Sequence, residues 1–194
     1  YNQSRATDLG ADLVITSTDK LMGGPRGGLM AGKAQLIDLI KIKAHQFGLE
    51  AQPPLMAAMA RALEKFEPEN IKQAMVRKDQ LYHALAPHFR GLEKTPTGVM
   101  ITPSALMENI NVKTFLTPED GAILLAMLLL KEENILTIPA VGMPGASATI
   151  RLDLASPDAH RLTDAAILEI LQNALESLLS MADDQDTCRS VLYE

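Results

Sequence analysis

The first 50 residues alternate between short, continuous apolar runs and a glycine-rich segment. Residues 13–16 are a β-branched apolar run, residues 20–28 are rich in glycine, and residues 29–32 are a second apolar run. A helical pattern begins at residue 33. Continuous rather than alternating apolar runs are typical of strands buried on both faces of a sheet. The pattern therefore predicts strand, loop, strand and helix, with the strands in a covered α/β sheet.

Longer helices are predicted between residues 53 and 90. Apolar side chains recur there at helical spacing, and two successive prolines mark the beginning of the segment. Pro68 interrupts the pattern, which resumes and then ends near Pro87 and Gly91. We therefore expect two consecutive helices in this region.

Short strands and helices are predicted from about residue 95. Thr117, Pro118 and Asp120 have the residue types of a helix N-terminus, with threonine as the N-cap, proline in the first position and an acid at N3. Residues 148–154 alternate, which places Arg151 on the polar face of a strand. The other expected elements are strands over 98–101, 109–112 and 135–138, a helix over 163–181 and a frayed polar tail over 183–186.

The composition describes an ordinary globular protein with a soft aliphatic core. Hydrophobic residues make up 47% and charged residues 22%, while tryptophan is absent and methionine occurs 10 times. The net charge of −6 argues against a nucleic-acid partner, which requires clustered Lys and Arg. Cys188 is the single cysteine and the four histidines lack ligand spacing, so we expect neither a disulfide nor a metal site.

The distribution of apolar residues predicts a cytoplasmic protein without a membrane segment. The N-terminal residues are polar, and no apolar stretch follows a basic start. The most apolar run, residues 122–130, is well short of the roughly 20 residues that a membrane-spanning helix needs.

The glycine-rich segment contains the most informative candidate chemistry. Lys20 follows a predicted strand, and Ser17 and Thr18 precede it by three and two residues. A lysine at a buried strand end can be partly desolvated, which lowers its pKa and frees the amine for Schiff-base chemistry. Neighbouring hydroxyls and loop N–H groups can hold a phosphate. The alternative is a plain surface lysine at a strand end.

A second pattern in this segment resembles a nucleotide-binding loop. Residues 27–33 match G-x-x-x-x-G-K, but the next residue is Ala34 instead of the Ser or Thr that would bind Mg²⁺. The intervening residues also have the pattern of a strand. We therefore do not expect nucleotide hydrolysis.

The stretch GADLVITSTDKLMGGPRGGLMAGKAQLI, residues 10–37, resembles the Schiff-base segment of bacterial selenocysteine synthase and related pyridoxal-phosphate (PLP) lyases. Residues 45–66 more loosely resemble the region after the lysine in tryptophanase-type β-eliminating lyases. The resemblance implies the C-terminal half of a fold-type-I PLP enzyme of the aspartate aminotransferase superfamily. Residues 1–92 would then be the end of the large mixed-sheet α/β domain, and residues 93–194 a small α+β domain with a flexible acidic tail.

The resemblance also assigns roles to four residues. Lys20 falls where the family lysine carries PLP as a Schiff base, and Ser17 and Arg26 fall where cofactor-phosphate contacts are expected. Arg151 falls where many relatives hold the substrate carboxylate, a task that suits the planar guanidinium. The alternatives are a solvated loop cation for Arg26 and a surface pair with Asp153 for Arg151.

The resemblance further implies chemistry on a small amino-acid-type substrate, in a homodimer or larger homo-oligomer. Elimination, other lyase chemistry or β-replacement is favoured by the nearest resemblance. An aminotransferase or aldolase of the same fold is the alternative, and a non-catalytic α/β domain that needs a partner half is the alternative of another class. Only 19 residues precede Lys20, so the stacking aromatic and the acid for the pyridine nitrogen are expected in a preceding half. This chain alone is therefore expected to be inactive.

Overall fold

The computed structural model describes residues 5–137 and 147–193. The chain divides into two compact units, Tyr1–Lys72 and Gln73–Glu194, whereas the predicted domain boundary between residues 92 and 93 stays a prediction. The elements of the first unit are β1 (Leu13–Ser17), β2 (Gly28–Gly32), α1 (Ala34–Phe47), α2 (Pro53–Glu64) and the first turn of α3 (Glu69–Leu85).

The two strands of the first unit form an antiparallel hairpin. Their register runs from Leu13 opposite Gly32 to Ser17 opposite Gly28. The predicted order of strand, loop, strand and helix is therefore confirmed. The expectation that both faces of the sheet are covered is wrong for the described chain, because Ile15 is 67% exposed and other apolar positions of the hairpin are only partly covered. The faces of a sheet are buried by helices or other sheets packed on them, and the described residues cover this hairpin only in part.

The helix that follows the hairpin is largely uncovered. α1 ends at Gly48, whose φ of 62° is the left-handed conformation that favours glycine, and the Gly48 N–H donates to the last carbonyls of the helix. No residue of α1 is buried, and Leu39 and Phe47 are strongly exposed. The small buried core of this unit consists of Thr18, Met59, Ala62 and Ile71.

The elements of the second unit after α3 are β3 (Leu92–Lys94), β4 (Gly98–Ile101), α4 (Pro103–Ile110), α5 (Pro118–Glu133), β5 (Ile150–Asp153), a 3-10 helix (Pro157–Arg161), α6 (Asp164–Met181) and α7 (Gln185–Tyr193). The three strands form an antiparallel sheet in the order β3-β4-β5. The central strand β4 pairs with β5 from Gly98 opposite Asp153 to Ile101 opposite Ile150.

Helix α5 is the centre of the core of the second unit. The Thr117 side chain accepts from the backbone N–H of Asp120, and the Asp120 carboxylate accepts from the backbone N–H of Thr117, so the predicted capping box is confirmed. Apolar side chains surround the helix, and α4, α6 and α7 pack against it. Leu124, Leu128 and Leu129 are almost fully buried as a result.

The predicted strand over residues 109–112 is wrong. Residues up to Ile110 belong to α4, which begins after Thr102, whose hydroxyl accepts from the N–H of Ala105. The helix ends at Asn111, which has a φ of 41° and so adopts the left-handed conformation of a helix end. The apolar residues near 110 therefore face the core from a helix.

Two further predictions near the ends of the second unit also differ from the structure. The strand expected over residues 135–138 is not formed at 135–137, and Ile138 lies outside the described residues. Of the tail expected to be frayed over residues 183–186, Gln185 and Asp186 instead begin α7, which buries Cys188 to 2% exposure. Burial of one apolar face explains why a segment with such polar residues is ordered.

Candidate functional site

The β1–β2 hairpin brings the three predicted cofactor-binding residues to one end. Ser17 is the last residue of β1 and lies opposite Gly28, the first residue of β2. Lys20 and Arg26 both lie in the connecting loop, residues 18–27. The Lys20 and Arg26 side chains are exposed, and Ser17 is half-buried. The partial desolvation expected for Lys20 is therefore not provided by the described residues around this loop.

Thr18 holds the loop together, a role that the sequence analysis did not assign. Its N–H donates to the carbonyl oxygen of Gly27 at 3.0 Å, and its own carbonyl oxygen accepts from the N–H of Gly24 at 2.8 Å. The Thr18 hydroxyl donates to the carbonyl oxygen of Pro25 at 2.6 Å. Thr18 is completely buried, so these three bonds lie inside the loop and not on its surface.

Two glycines allow the loop to lie close to α2. A Cβ added at Gly24 would lie 2.9 Å from the Ala62 Cβ and 2.9 Å from the Thr18 carbonyl oxygen. A Cβ added at Gly27 would collide with the Met59 methyl group. Since Met59 and Ala62 are themselves buried, the loop is seated on a packed surface of α2.

The residues that resembled a nucleotide-binding loop have another role. Residues 28–32 are strand β2, so their N–H groups do not form an anion-binding loop. The lysine of that pattern, Lys33, forms an ion pair with Asp12 at the opposite end of the hairpin from Lys20. Both features agree with the prediction against nucleotide hydrolysis.

The chemical groups of the loop fit an anionic aldehyde cofactor. The Ser17 hydroxyl and the Arg26 guanidinium are suited to phosphate oxygens, and the Lys20 amine is a nucleophile towards a carbonyl carbon. Neither Lys20 nor Arg26 forms an ion pair with an acidic side chain of residues 5–137 or 147–193. As far as the described residues show, both cationic groups are therefore available to bind a ligand.

Arg151 belongs to the second unit and lines a cavity there. It lies on β5 opposite Met100, with an exposed side chain. The cavity has a volume of about 630 Å³ and is also lined by Asp153, Asp158 and Arg161. This is a size in the range of small-molecule sites.

The acidic groups near Arg151 have other partners. The Asp153 carboxylate accepts from the Thr97 hydroxyl at 2.8 Å and from the Ala155 N–H at 3.0 Å. Asp158 pairs with Arg161 at 3.1 Å. Within the described residues Arg151 has no such ion pair, so the alternative pairing of Arg151 with Asp153 is not formed there.

Neither a metal cluster nor a membrane span is found in the described part of the chain. No group of three His, Cys, Asp or Glu side chains in residues 5–137 and 147–193 is arranged to hold a metal ion. Over the same residues, every helix is too short or too polar to cross a bilayer.

Two family models match consecutive parts of the chain. The model described as L-seryl-tRNA selenium transferase matches residues 2–84, which include the whole β1–β2 hairpin. The model described as UPF0425 C-terminal domain matches residues 88–163.

Individual proteins that are similar to this chain have names that agree with these two family models. The chain is 50% identical to the UPF0425 pyridoxal phosphate-dependent protein of Methanothermobacter thermautotrophicus over 194 residues, which cover 99% of the chain and 50% of that relative. It is 44% identical to the protein of the same name from Methanosphaera stadtmanae, covering all of the chain and 51% of the relative. The L-seryl-tRNA(Sec) selenium transferase of Shewanella oneidensis is 31% identical over 138 residues, 60% of the chain and 29% of that protein.

These similarities indicate a class of protein and, more specifically, a group of relatives that share one name. The predicted resemblance to PLP-dependent enzymes of the selenocysteine-synthase type is confirmed, and the match to a model named for a C-terminal domain agrees with the predicted C-terminal portion. Along its whole length the chain is similar to proteins that bear the name UPF0425 pyridoxal phosphate-dependent protein. It spans about half the length of these curated relatives.

Proposed function

We propose that this chain is part of a PLP-dependent enzyme in which Lys20 carries the cofactor. The observation that carries the proposal is the placement of Ser17, at the end of β1, and of Lys20 and Arg26, in the loop that follows, at one end of the β1–β2 hairpin. The printed names of the relatives, which state PLP dependence, support the choice of cofactor. PLP supplies an electron sink for carbanionic chemistry at the α-carbon of an amino acid.

The residues of this chain would divide the binding work between them. Ser17 and Arg26 would hold the phosphate through a hydroxyl and a guanidinium. The Lys20 amine would hold the cofactor covalently and, once released, would take or return the proton at the substrate α-carbon. Arg151 would hold the substrate carboxylate, for which the cavity beside it has room.

We further propose elimination or β-replacement on a free amino-acid-type substrate. The reaction type is supported by the likeness to proteins named selenium transferases, since that name describes the transfer of selenium. A free substrate is favoured over a tRNA-bound one because the chain carries a net charge of −6. Analysis of the products formed from candidate amino acids would separate this chemistry from transamination or aldol cleavage.

The proposed role of Lys20 is tested by covalent trapping in the full-length protein. After incubation with PLP, borohydride reduction and peptide mapping should find the label on Lys20. Lys20→Ala should abolish turnover and lose the label, while Lys33→Ala, which changes the other lysine of the hairpin, should keep it. A label on Lys33 or Lys41 would show that the assignment is wrong.

A further inference from the structure

We propose that Thr18 is a positioning residue that fixes the loop carrying Lys20. This inference rests on the proposed function of Lys20. Thr18 lies two residues before the lysine, is completely buried, and makes three hydrogen bonds to the far side of the same loop. It would act on the cofactor only through the placement of Lys20.

The three bonds join both ends of the loop. The bond from the Gly24 N–H to the Thr18 carbonyl oxygen closes a turn that contains Lys20. The bond from the Thr18 N–H to the Gly27 carbonyl oxygen extends the ladder of the hairpin by one step. The hydroxyl bond then fixes Pro25, one of the two residues between those two glycines.

The side-chain bond is the one that depends on residue 18 being a threonine. Any residue except proline supplies the two backbone bonds, but a hydroxyl-bearing side chain is needed to donate to the Pro25 carbonyl. That carbonyl would otherwise be left without the Thr18 donor in a partly buried position, which is unfavourable. The Thr18 side chain also lies close to Gly24, where an added Cβ would be 3.3 Å from the Thr18 Cβ.

The three hydrogen bonds of Thr18, called the clamp from here on, leave Lys20 exposed on a loop that is held in one position. Residues 19–21 are exposed, whereas the residues that flank this segment are held by Thr18 and seated on α2 through Gly24 and Gly27. A reactive side chain is positioned most precisely when its support is rigid, because less freedom is then lost when the ligand binds. A buried threonine at the base of the loop provides that rigidity.

The first readout is amide hydrogen exchange in the full-length protein without PLP. Thr18→Val keeps the shape of the side chain but removes the donor, so exchange of the Thr18 and Gly24 amides should accelerate by about 5- to 150-fold. Thr18→Ser keeps the hydroxyl and should restore most of the protection. Thr16→Val is the matched control, because Thr16 is an exposed residue of β1 whose hydroxyl makes no hydrogen bond within the described residues. In this variant the exchange of the Thr18 and Gly24 amides should be unchanged.

The second readout is the share of PLP trapped on Lys20 by borohydride at limiting PLP. This share should fall in Thr18→Val and recover in Thr18→Ser. If Thr18→Val does not fold, Thr18→Ala removes the same donor with a smaller side chain and should give the same two changes.

Each contrary result has a distinct meaning. Unchanged amide exchange in Thr18→Val would overturn the clamp itself. Faster exchange with unchanged trapping on Lys20 would make Thr18 purely structural and overturn its positioning role. Failure of the wild-type protein to trap PLP on Lys20, with a loop that still loosens in Thr18→Val, would overturn the proposed function and the positioning role with it, while the clamp would stand.

Discussion

The Nε of Arg77 donates to Oδ1 of Asp164 at 2.9 Å, which joins two helices whose paired residues are 87 positions apart. The other two nitrogens of the same guanidinium donate to the carbonyl oxygens of Ala159 and Leu162, each at 2.6 Å. The pair is about three-quarters or more buried. One planar cation therefore fixes α3 to the 3-10 helix and to the beginning of α6, all within the second unit.

Replacing Arg77 by Ala should lower the free energy of unfolding by about 2–3 kcal/mol, because a partly buried carboxylate and two carbonyls lose a charged donor. Arg77→Lys should restore only part of this, since an ammonium cannot reproduce the three directed bonds. Urea unfolding measures the change. The control is Arg61→Ala, which removes an exposed pair with Glu64 and should cost less than about 1 kcal/mol. Equal losses in the two alanine variants would contradict the structural role of Arg77.

Cys188 should react slowly with an alkylating reagent in the native protein. Its side chain lies on the buried face of α7, and burial, followed by the nearby Asp184 and Asp183 charges, raises the pKa of the thiol above its ordinary value. Few thiolates then form at neutral pH. Mass spectrometry should show fast alkylation only after denaturant is added. Rapid native-state labelling would mean that the C-terminal residues are frayed after all.

Asp184 should titrate below the ordinary range of an aspartate. Its carboxylate accepts from the Thr187 hydroxyl at 2.7 Å and from the N–H groups of Asp186 and Thr187, and these bonds lower its pKa. The depressed pKa means that this cap of α7 stabilises the fold above about pH 4 and is lost as the pH falls through the folded-state pKa. NMR titration of the carboxyl carbon measures this directly.

The matched variant for this titration is Thr187→Val, which removes the largest cause of the shift. The pKa of Asp184 should then rise towards its ordinary value. If Thr187→Val leaves the pKa of Asp184 unchanged, the capping bonds do not form in solution.

Arg151→Ala should weaken binding of amino-acid substrates to the full-length protein by about 10- to 150-fold. This is the loss in affinity expected when a bidentate, charge-assisted pair of hydrogen bonds is removed. Arg151→Lys should not restore the affinity fully because the planar fork is lost. Apparent affinities from substrate titrations give the comparison, with the exposed Arg90→Ala as the control outside the cavity. Unchanged affinity in Arg151→Ala would remove this residue from the proposed site.

Residues 1–194 alone should not bind PLP tightly. The β1–β2 hairpin offers a lysine, a hydroxyl and a guanidinium, but its faces and α1 leave apolar side chains uncovered, including Ile15 and Phe47. Such a surface favours association over a stable site. Titration of the 194-residue chain with PLP is the measurement. Micromolar or tighter, stoichiometric binding by a monodisperse protein would refute the expectation.

The order of elements could be predicted from the sequence wherever local signals were strong. The apolar runs on either side of the glycine-rich loop predicted both strands of the hairpin, and Thr117 with Asp120 predicted the start of α5, because capping chemistry depends only on near neighbours. The same signal, Thr102 followed by Pro103, was missed beside the β-branched residues near 110. Burial against α5 decided in favour of a helix there.

The candidate site was predictable only in part. The spacing of Ser17 and Lys20 and the nearby Arg26 indicated a ligand-binding loop, and the hairpin register brings them to one end. The role of Thr18 was not predictable, because its partners are backbone groups whose positions depend on the folded loop. The coverage of the strands was overestimated, since an apolar run does not reveal which residues cover it.

The register of the second unit has a consequence for protein synthesis. Gly98 of β4 pairs with Asp153 of β5, 55 positions later, whereas β3 pairs with β4 across a tight turn. At a translation rate of about 5–20 residues per second, roughly 3–10 s pass between the emergence of these two strands from the ribosome. During that interval the edge of β4 that will pair with β5 has no partner strand. A nascent-chain chaperone that shields this edge would therefore act after β4 has emerged and before β5 has.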